Sequence, residues 1–175
     1  MTNRSNMVWA AVLVAASLIC TLGFACVTPL AGIAAVAVLT MPRRAALMAT
    51  IAVWLINQAI GFLLLDYPHT ANAYAWGAML GVATLGAFAV ASLIDHAKLH
   101  VAWRAMASVL AGFAVFEIAL YLASIAALGG MDGYATSIIV RVGLINAASA
   151  AVLLLLRQVT FTNRPAAAIP AVHRV

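Results

Sequence analysis

The sequence predicts an all-α integral membrane protein in which six transmembrane helices, the second of them short, form one compact bundle. Two observations support this class. Hydrophobic residues make up 67% of the chain and charged residues only 7%, whereas charged residues make up roughly 25% of a typical soluble domain. The basic residues are also unevenly placed along the chain. Eight of the nine lie at the ends of apolar segments that are predicted to face the same side of the membrane, and none lies at the ends that face the other side.

This alternation predicts the topology. The basic segment ends hold Arg4, Arg43, Arg44, Lys98, Arg104, Arg157, Arg164 and Arg174. The connections between them hold Asp66 and Asp132 instead. Because short cytoplasmic loops retain Lys and Arg, we expect both termini in the cytoplasm of a bacterium and six crossings of its inner membrane. The net charge of +5 then faces the anionic headgroups of the lipid bilayer, which argues against nucleic acid as a partner.

The first two helices are predicted on either side of a proline. Helix 1 is expected from about Met7 to Ala25, close to the roughly 20 residues that a membrane span requires. Pro29 suits the start of the next helix, where its missing N–H group is not needed. Helix 2, from about Leu30 to Thr40, rises only about 16 Å. It is therefore either a short helix seated deep in the membrane or one part of a re-entrant unit with helix 1.

Further apolar runs, separated by turn residues, predict the other four helices. These are expected at about Ala45–Leu65, Ala73–Ile94, Val101–Leu128 and Tyr134–Leu156. Residues 1–160 thus form a single six-helix transmembrane domain. Residues 161–175, with their prolines and alanines, are predicted to be a disordered cytoplasmic tail.

Two ionisable side chains are predicted inside the membrane, Glu117 in helix 5 and Arg141 in helix 6. Such groups are expensive in hydrocarbon and indicate function by default. Counted from the turn between the two helices, Arg141 lies about 12 Å deep and Glu117 about 18 Å deep. Two interpretations stay open: a buried ion pair that fixes the packing of the helices, or an arginine that anchors a ligand and is oriented by the glutamate.

Other polar side chains lie in the half of the bundle away from the basic loops. One face of helix 3 carries an indole, two amides and a glycine at i, i+3, i+4 and i+7, which form either a cavity wall or hydrogen-bonding contacts between helices. We expect an outward-facing cavity for a small-molecule substrate, lined by Trp54, Asn57, Gln58, Glu117, Tyr121, Arg141, Cys26, His69 and Tyr74.

Motifs of catalysis are missing from the sequence. It contains no nucleophile elbow, zinc-protease motif or phosphate-binding loop, so we expect no enzyme, no metal site and no cofactor. Cys26 and His69 offer a soft ligand pair for a metal, but a single cysteine in a membrane helix is more often a small apolar filler. A membrane redox protein that uses Cys20 and Cys26 is a remote alternative.

A six-helix chain of this length, with a short second helix and a polar outer half, resembles the S components of energy-coupling factor transporters, which capture vitamins and transition metals. The resemblance extends from Met7 to about Gln158, and the stretch from Cys26 through Gln58 is similar to the loop and short helix of solitary members. It implies uptake of a small molecule in an outward-facing site. It also implies a transmembrane coupling subunit with ATPases as partner, or a homo-oligomer if the protein is solitary.

The resemblance also bears on the ligand. Nickel- and cobalt-binding members use a histidine close to the N-terminus, which this sequence lacks. Cobalamin-binding solitary members use a cysteine thiolate, for which Cys26 is the candidate, whereas a carboxylate-bearing metabolite would suit Arg141. The alternative function is a non-transporting membrane scaffold or assembly protein, in which the buried polar groups only lock the helices together.

Overall fold

The computed structural model describes residues 3–23, 28–129 and 136–162, and these ranges contain helices and no strands. The helices are α1 Asn3–Gly23, α2 Leu30–Thr40, α3 Arg43–Leu63, α4 Ala71–Asp95, α5 Val101–Ala123 and α6 Thr136–Thr162, and α5 continues as a π-helical turn, Ser124–Leu128. Five of the helices are long and apolar enough to cross a membrane, and α2 is shorter. The predicted all-helical class is confirmed, and the apolar helices indicate a multi-pass membrane protein.

The helix bounds differ from the predicted ones mainly at the two ends of the chain. Helix α1 begins earlier, at Asn3, and α6 ends later, at Thr162. Neither added stretch contains a proline or glycine that would end a helix. Cys26 and residues 163–175 of the predicted tail lie outside the described residues.

Helix α2 occupies the centre of the bundle. It packs against α1, α3, α4, α5 and α6, and its residues from Leu30 to Ala37 are all buried. Because the sequence of α2 is apolar on every side, the helix has no face suited to water and is stable when surrounded by other helices. Thr28 and Pro29, which precede it, are buried as well. The chain therefore enters α2 inside the bundle rather than at its surface.

The two ends of the bundle differ in charge. We call one of them the basic end, and it holds Arg4, Arg43, Arg44, Lys98, Arg104 and Arg157. Contacts between distant segments assemble it: Trp9 Nε1 donates to Thr40 Oγ1 at 2.9 Å, and the Arg157 guanidinium lies 5.3 Å from the centroid of the Trp9 ring. The other end, which includes the loop 64–70 between α3 and α4, is called the distal end.

A very close helix–helix approach lies at Gly32 in α2. A Cβ atom at this position would lie 2.6 Å from the backbone oxygen of Asn146 in α6, which is shorter than any normal contact. The missing side chain lets the two backbones approach closely, as small residues do between membrane helices. The backbone N–H of Gly32 consequently reaches Asn146 Oδ1 and donates to it at 2.8 Å.

We expect Gly32→Ala to destabilise the protein. The added methyl group would meet backbone atoms, and such overpacking costs about 1–3 kcal/mol, more than the roughly 1 kcal/mol by which alanine favours a helix over glycine. The measurement is the unfolding temperature of the purified protein in mild detergent.

Gly23→Ala is the matched control for this substitution. A Cβ atom at residue 23 would meet nothing within 4 Å, so the unfolding temperature of this variant should stay the same or rise slightly. Equal unfolding temperatures for the two variants would contradict the close contact between α2 and α6.

Candidate functional site

The start of α2 receives its hydrogen-bond partner from a distant part of the chain. The first N–H groups of a helix have no partner within the helix, and Pro29 at the N-cap provides no side-chain cap. The Oδ1 atom of Asn146 accepts from the third residue of the helix, Gly32. The Nδ2 atom of the same side chain donates to the Val142 carbonyl of α6 at 3.0 Å. One buried amide thus caps α2 and is itself held in place.

Asn146 is a residue that the sequence reasoning missed. Its side chain is only 1% exposed, and it is an asparagine in an otherwise apolar stretch of α6. Asn57 is predicted as a site residue because it is an amide side chain within an apolar helix. The same observation applies to Asn146, since a buried amide in a membrane helix needs a hydrogen-bond partner.

Four hydrogen-bonded side chains lie beside the start of α2, and we call them the polar cluster: Thr21, Thr28, Asn57 and Gln58. The two threonine hydroxyls lie 2.7 Å apart. Asn57 Nδ2 donates to Thr28 Oγ1 at 2.6 Å and to Thr21 Oγ1 at 3.2 Å. Gln58 Nε2 donates to Asn57 Oδ1 at 3.2 Å. The polar cluster therefore joins α1 and α3 to the residue before Pro29.

The remaining predicted residue of helix 3, Trp54, packs against α4. Its Nε1 atom donates to the Gly77 carbonyl at 3.0 Å, and its ring occupies the space that a side chain at residue 81 would fill. Gln58 Oε1 occupies the corresponding space at Gly77. The GxxxG sequence of α4 thus receives side chains of α3. Trp54, Asn57 and Gln58 are each half-buried, so their packing leaves part of each side chain accessible.

At the distal end the structure brings His69 and Tyr74 together. His69 Nδ1 lies 2.7 Å from the Tyr74 hydroxyl, and both residues are exposed. Phe62 stacks on the Tyr74 ring with centroids 4.8 Å apart and meets Tyr67 edge-on at 5.9 Å. Edge-on and offset arrangements of this kind are the favourable ones for aromatic pairs. We call these four residues the aromatic group.

The structure does not bring Glu117 and Arg141 together. Helices α5 and α6 meet where the Phe113 ring packs against Gly143. Arg141 is two residues from Gly143, which is about 200° around a helix, so it lies on the side of α6 away from α5 and is exposed. Glu117 is half-buried and Tyr121 is exposed. The ion pair of the first interpretation does not form, and Arg141 does not join the polar cluster.

The structure offers little for a metal. Within the described ranges, no three His, Cys, Asp or Glu side chains lie close enough together to hold an ion. Cys20 Sγ lies 3.9 Å from Ser149 Oγ. The proposed pair of Cys26 with His69 involves a residue outside the described ranges.

No protein-family model, curated protein or solved structure matches this chain. The resemblance to S components therefore stays an interpretation of the sequence pattern.

We expect Asn146→Leu to destabilise the protein by about 1–3 kcal/mol, because it leaves the buried Gly32 N–H without a partner. Gln158→Leu is the matched control, since Gln158 is an exposed amide of the same helix. Both variants are compared by chemical unfolding in detergent. A loss for Gln158→Leu as large as that for Asn146→Leu would contradict the capping role.

Proposed function

We propose that the protein captures a small molecule from outside the cell in a site formed by the polar cluster and the aromatic group. In this proposal the six helices lie in a bacterial inner membrane, with α2 as a half-length helix. The basic end and both termini face the cytoplasm, and the distal end faces outward. The captured molecule passes to the cell interior with the help of a coupling subunit and its ATPases, or through the protein alone.

The observation that carries the proposal is the buried, non-helical backbone at Thr28 and Pro29. Helix α2 has 11 residues and rises about 16 Å from the basic end, so these two residues lie near the middle of a hydrocarbon core of about 30 Å. Backbone of this kind is tolerated at such depth only inside protein or along a cavity. Interrupted helices near the bilayer midplane are also where many transporters bind substrate.

The chemistry of the surrounding side chains favours a flat, polar but uncharged part of a ligand. The polar cluster supplies amide and hydroxyl groups, and Trp54 and Phe62 supply ring surface on the same helix. Phe62 follows Gln58 by one turn, about 6 Å nearer the distal end, so an incoming molecule meets aromatic faces before amides. A carboxylate would lack a nearby cation, because Arg141 lies on the far side of α6. Cobalamin and other vitamin-like molecules are therefore better candidates than a carboxylate-bearing metabolite.

A scaffold or assembly function is the second candidate, and one observation favours it. Asn57 Nδ2 already makes two hydrogen bonds and Trp54 Nε1 makes one. These bonds connect α1, α3 and α4 without any ligand. In this case the polar cluster contributes only to stability, at roughly 0.6 kcal/mol for an average side-chain hydrogen bond between membrane helices.

Ligand capture is tested directly on the protein purified in mild detergent. Native mass spectrometry searches for a co-purified small molecule, and thermal unfolding is followed with cobalamin, riboflavin, thiamine or biotin added separately. A ligand present at 100 times its Kd stabilises the folded protein by about 2.7 kcal/mol. We expect such a rise with one of the uncharged or cobalamin-type probes. No bound molecule and no rise with any probe would contradict capture.

We expect Gln58→Ala to weaken ligand binding about tenfold and to change stability by less than about 1 kcal/mol, because it removes one polar contact while Asn57 keeps both threonines. Ser92→Ala is the control, since Ser92 bonds only within α4, to the Phe88 carbonyl, near the basic end. Calorimetric titration gives the Kd, and unfolding gives the stability. Lost stability with no ligand detected for any variant would favour the scaffold function.

A further inference from the structure

Glu117 places an ionisable carboxyl group in the apolar part of α5, where the described residues provide no partner for it. No hydrogen bond or ion pair joins it to any other described residue, and its side chain is partly exposed. It lies 11 residues before Leu128, about 16 Å from that end of the helix. A glutamate is too short to reach the membrane surface from there. Charged side chains at such depth almost always pair or face a polar interior.

Arg141 presents the complementary charge on α6. It shares an exposed face with Leu144, Ala148 and Leu155, at i+3, i+7 and i+14, a face otherwise suited to lipid or to another helix. It makes no ion pair with the described residues. The neighbouring helices α5 and α6 therefore each carry one ionisable side chain that makes no ion pair within the described residues, and Arg141 points away from the α5 helix of its own copy.

The two charges lie at nearly the same level along the membrane normal. The contact between Phe113 and Gly143 fixes the register of the antiparallel helices α5 and α6. Glu117 is four residues from Phe113 towards the distal end, about 6 Å, and Arg141 is two residues from Gly143 in the same direction, about 3 Å. The difference of about 3 Å is within the reach of an arginine side chain.

We infer that this surface binds a second copy of the chain in a symmetric dimer. Glu117 of each copy pairs with Arg141 of the partner subunit, so the interface contains the ion pair twice. A two-fold axis along the membrane normal places each residue of the partner subunit at the same depth as in the first copy. Glu117 of one copy can therefore reach Arg141 of the other only if the two residues lie at similar depths, as they do here. Glu117 lies one turn from Phe113, on the side of α5 that meets α6, and the partner's α6 packs into the groove there.

Self-association explains the surface better than an unrelated partner does. A two-fold interface uses the same patch on both copies and must be complementary to itself. A patch with one cation and one anion at equal depth meets this condition, whereas a patch with a single charge would call for a different protein. Large apolar side chains also remain available for packing, since Ile118 is 57% exposed and Leu144 66% exposed. An arginine–carboxylate pair adds paired, directional hydrogen bonds.

The test exchanges charges between two differently tagged copies produced in the same cells. Wild-type copies should co-purify and give a dimer mass in native mass spectrometry from lipid nanodiscs. Glu117→Arg alone and Arg141→Glu alone place like charges together, so each variant should be largely monomeric, with a dimer dissociation constant raised at least about tenfold. Mixing the two variants restores both opposite-charge contacts and should restore the dimer.

Neutral substitutions and a remote charge reversal complete the design. Glu117→Gln and Arg141→Gln should each fold and shift the population towards monomer. If a charge-reversed variant does not fold, these two neutral variants test the ion pair in its place. Lys98→Glu reverses an exposed charge at the basic end and should leave the dimer unchanged. A monomeric wild-type protein would overturn the inference, as would folded variants that still associate or a mixture that stays monomeric. A wild-type protein that is monomeric would leave lipid phosphates as the partner of Arg141, and variants that still associate would place the dimer contact on another surface.

Discussion

The fold depends on one constraint, which is that helix α2 begins inside the bundle and not at its surface. Its first N–H groups have no water to bond with, and burying such groups unpaired is costly. Asn146 provides a partner for one of them. That bond requires the α6 backbone to lie almost in contact with α2, which only glycine at position 32 permits. The position of α6 therefore follows from how α2 starts.

The same constraint places polar side chains at the centre of an apolar protein. The chain before Pro29 also needs partners, and Thr21 and Asn57 surround the hydroxyl of Thr28. A polar cluster assembled for this purpose is also the part of the membrane interior best able to bind a polar molecule. In the proposed function, stability and ligand capture draw on the same residues, so counting polar residues alone does not separate a binding protein from a scaffold.

Much of the fold could be predicted from the sequence, because apolar runs and prolines mark the helices directly. The shortness of α2 and the shared face of Trp54, Asn57 and Gln58 were also visible. The relation between Glu117 and Arg141 was not. Depth follows from counting residues, but the direction in which a side chain points depends on which face of its helix is packed. For α6 that face is set by Gly32 against Asn146 and by Phe113 against Gly143, contacts between residues far apart in sequence.

The two arginines of α6 show why position and not charge decides their roles. Arg157 lies near the basic end, where its guanidinium stacks on the Trp9 ring. Arg141 lies among apolar neighbours on a face of α6 that is exposed in the described part of the chain. The polar cluster is formed by α1, α3 and the start of α2, whereas the surface with Arg141 and Glu117 belongs to α5 and α6. Because these regions share no side chain, ligand capture and self-association can each be true or false without the other.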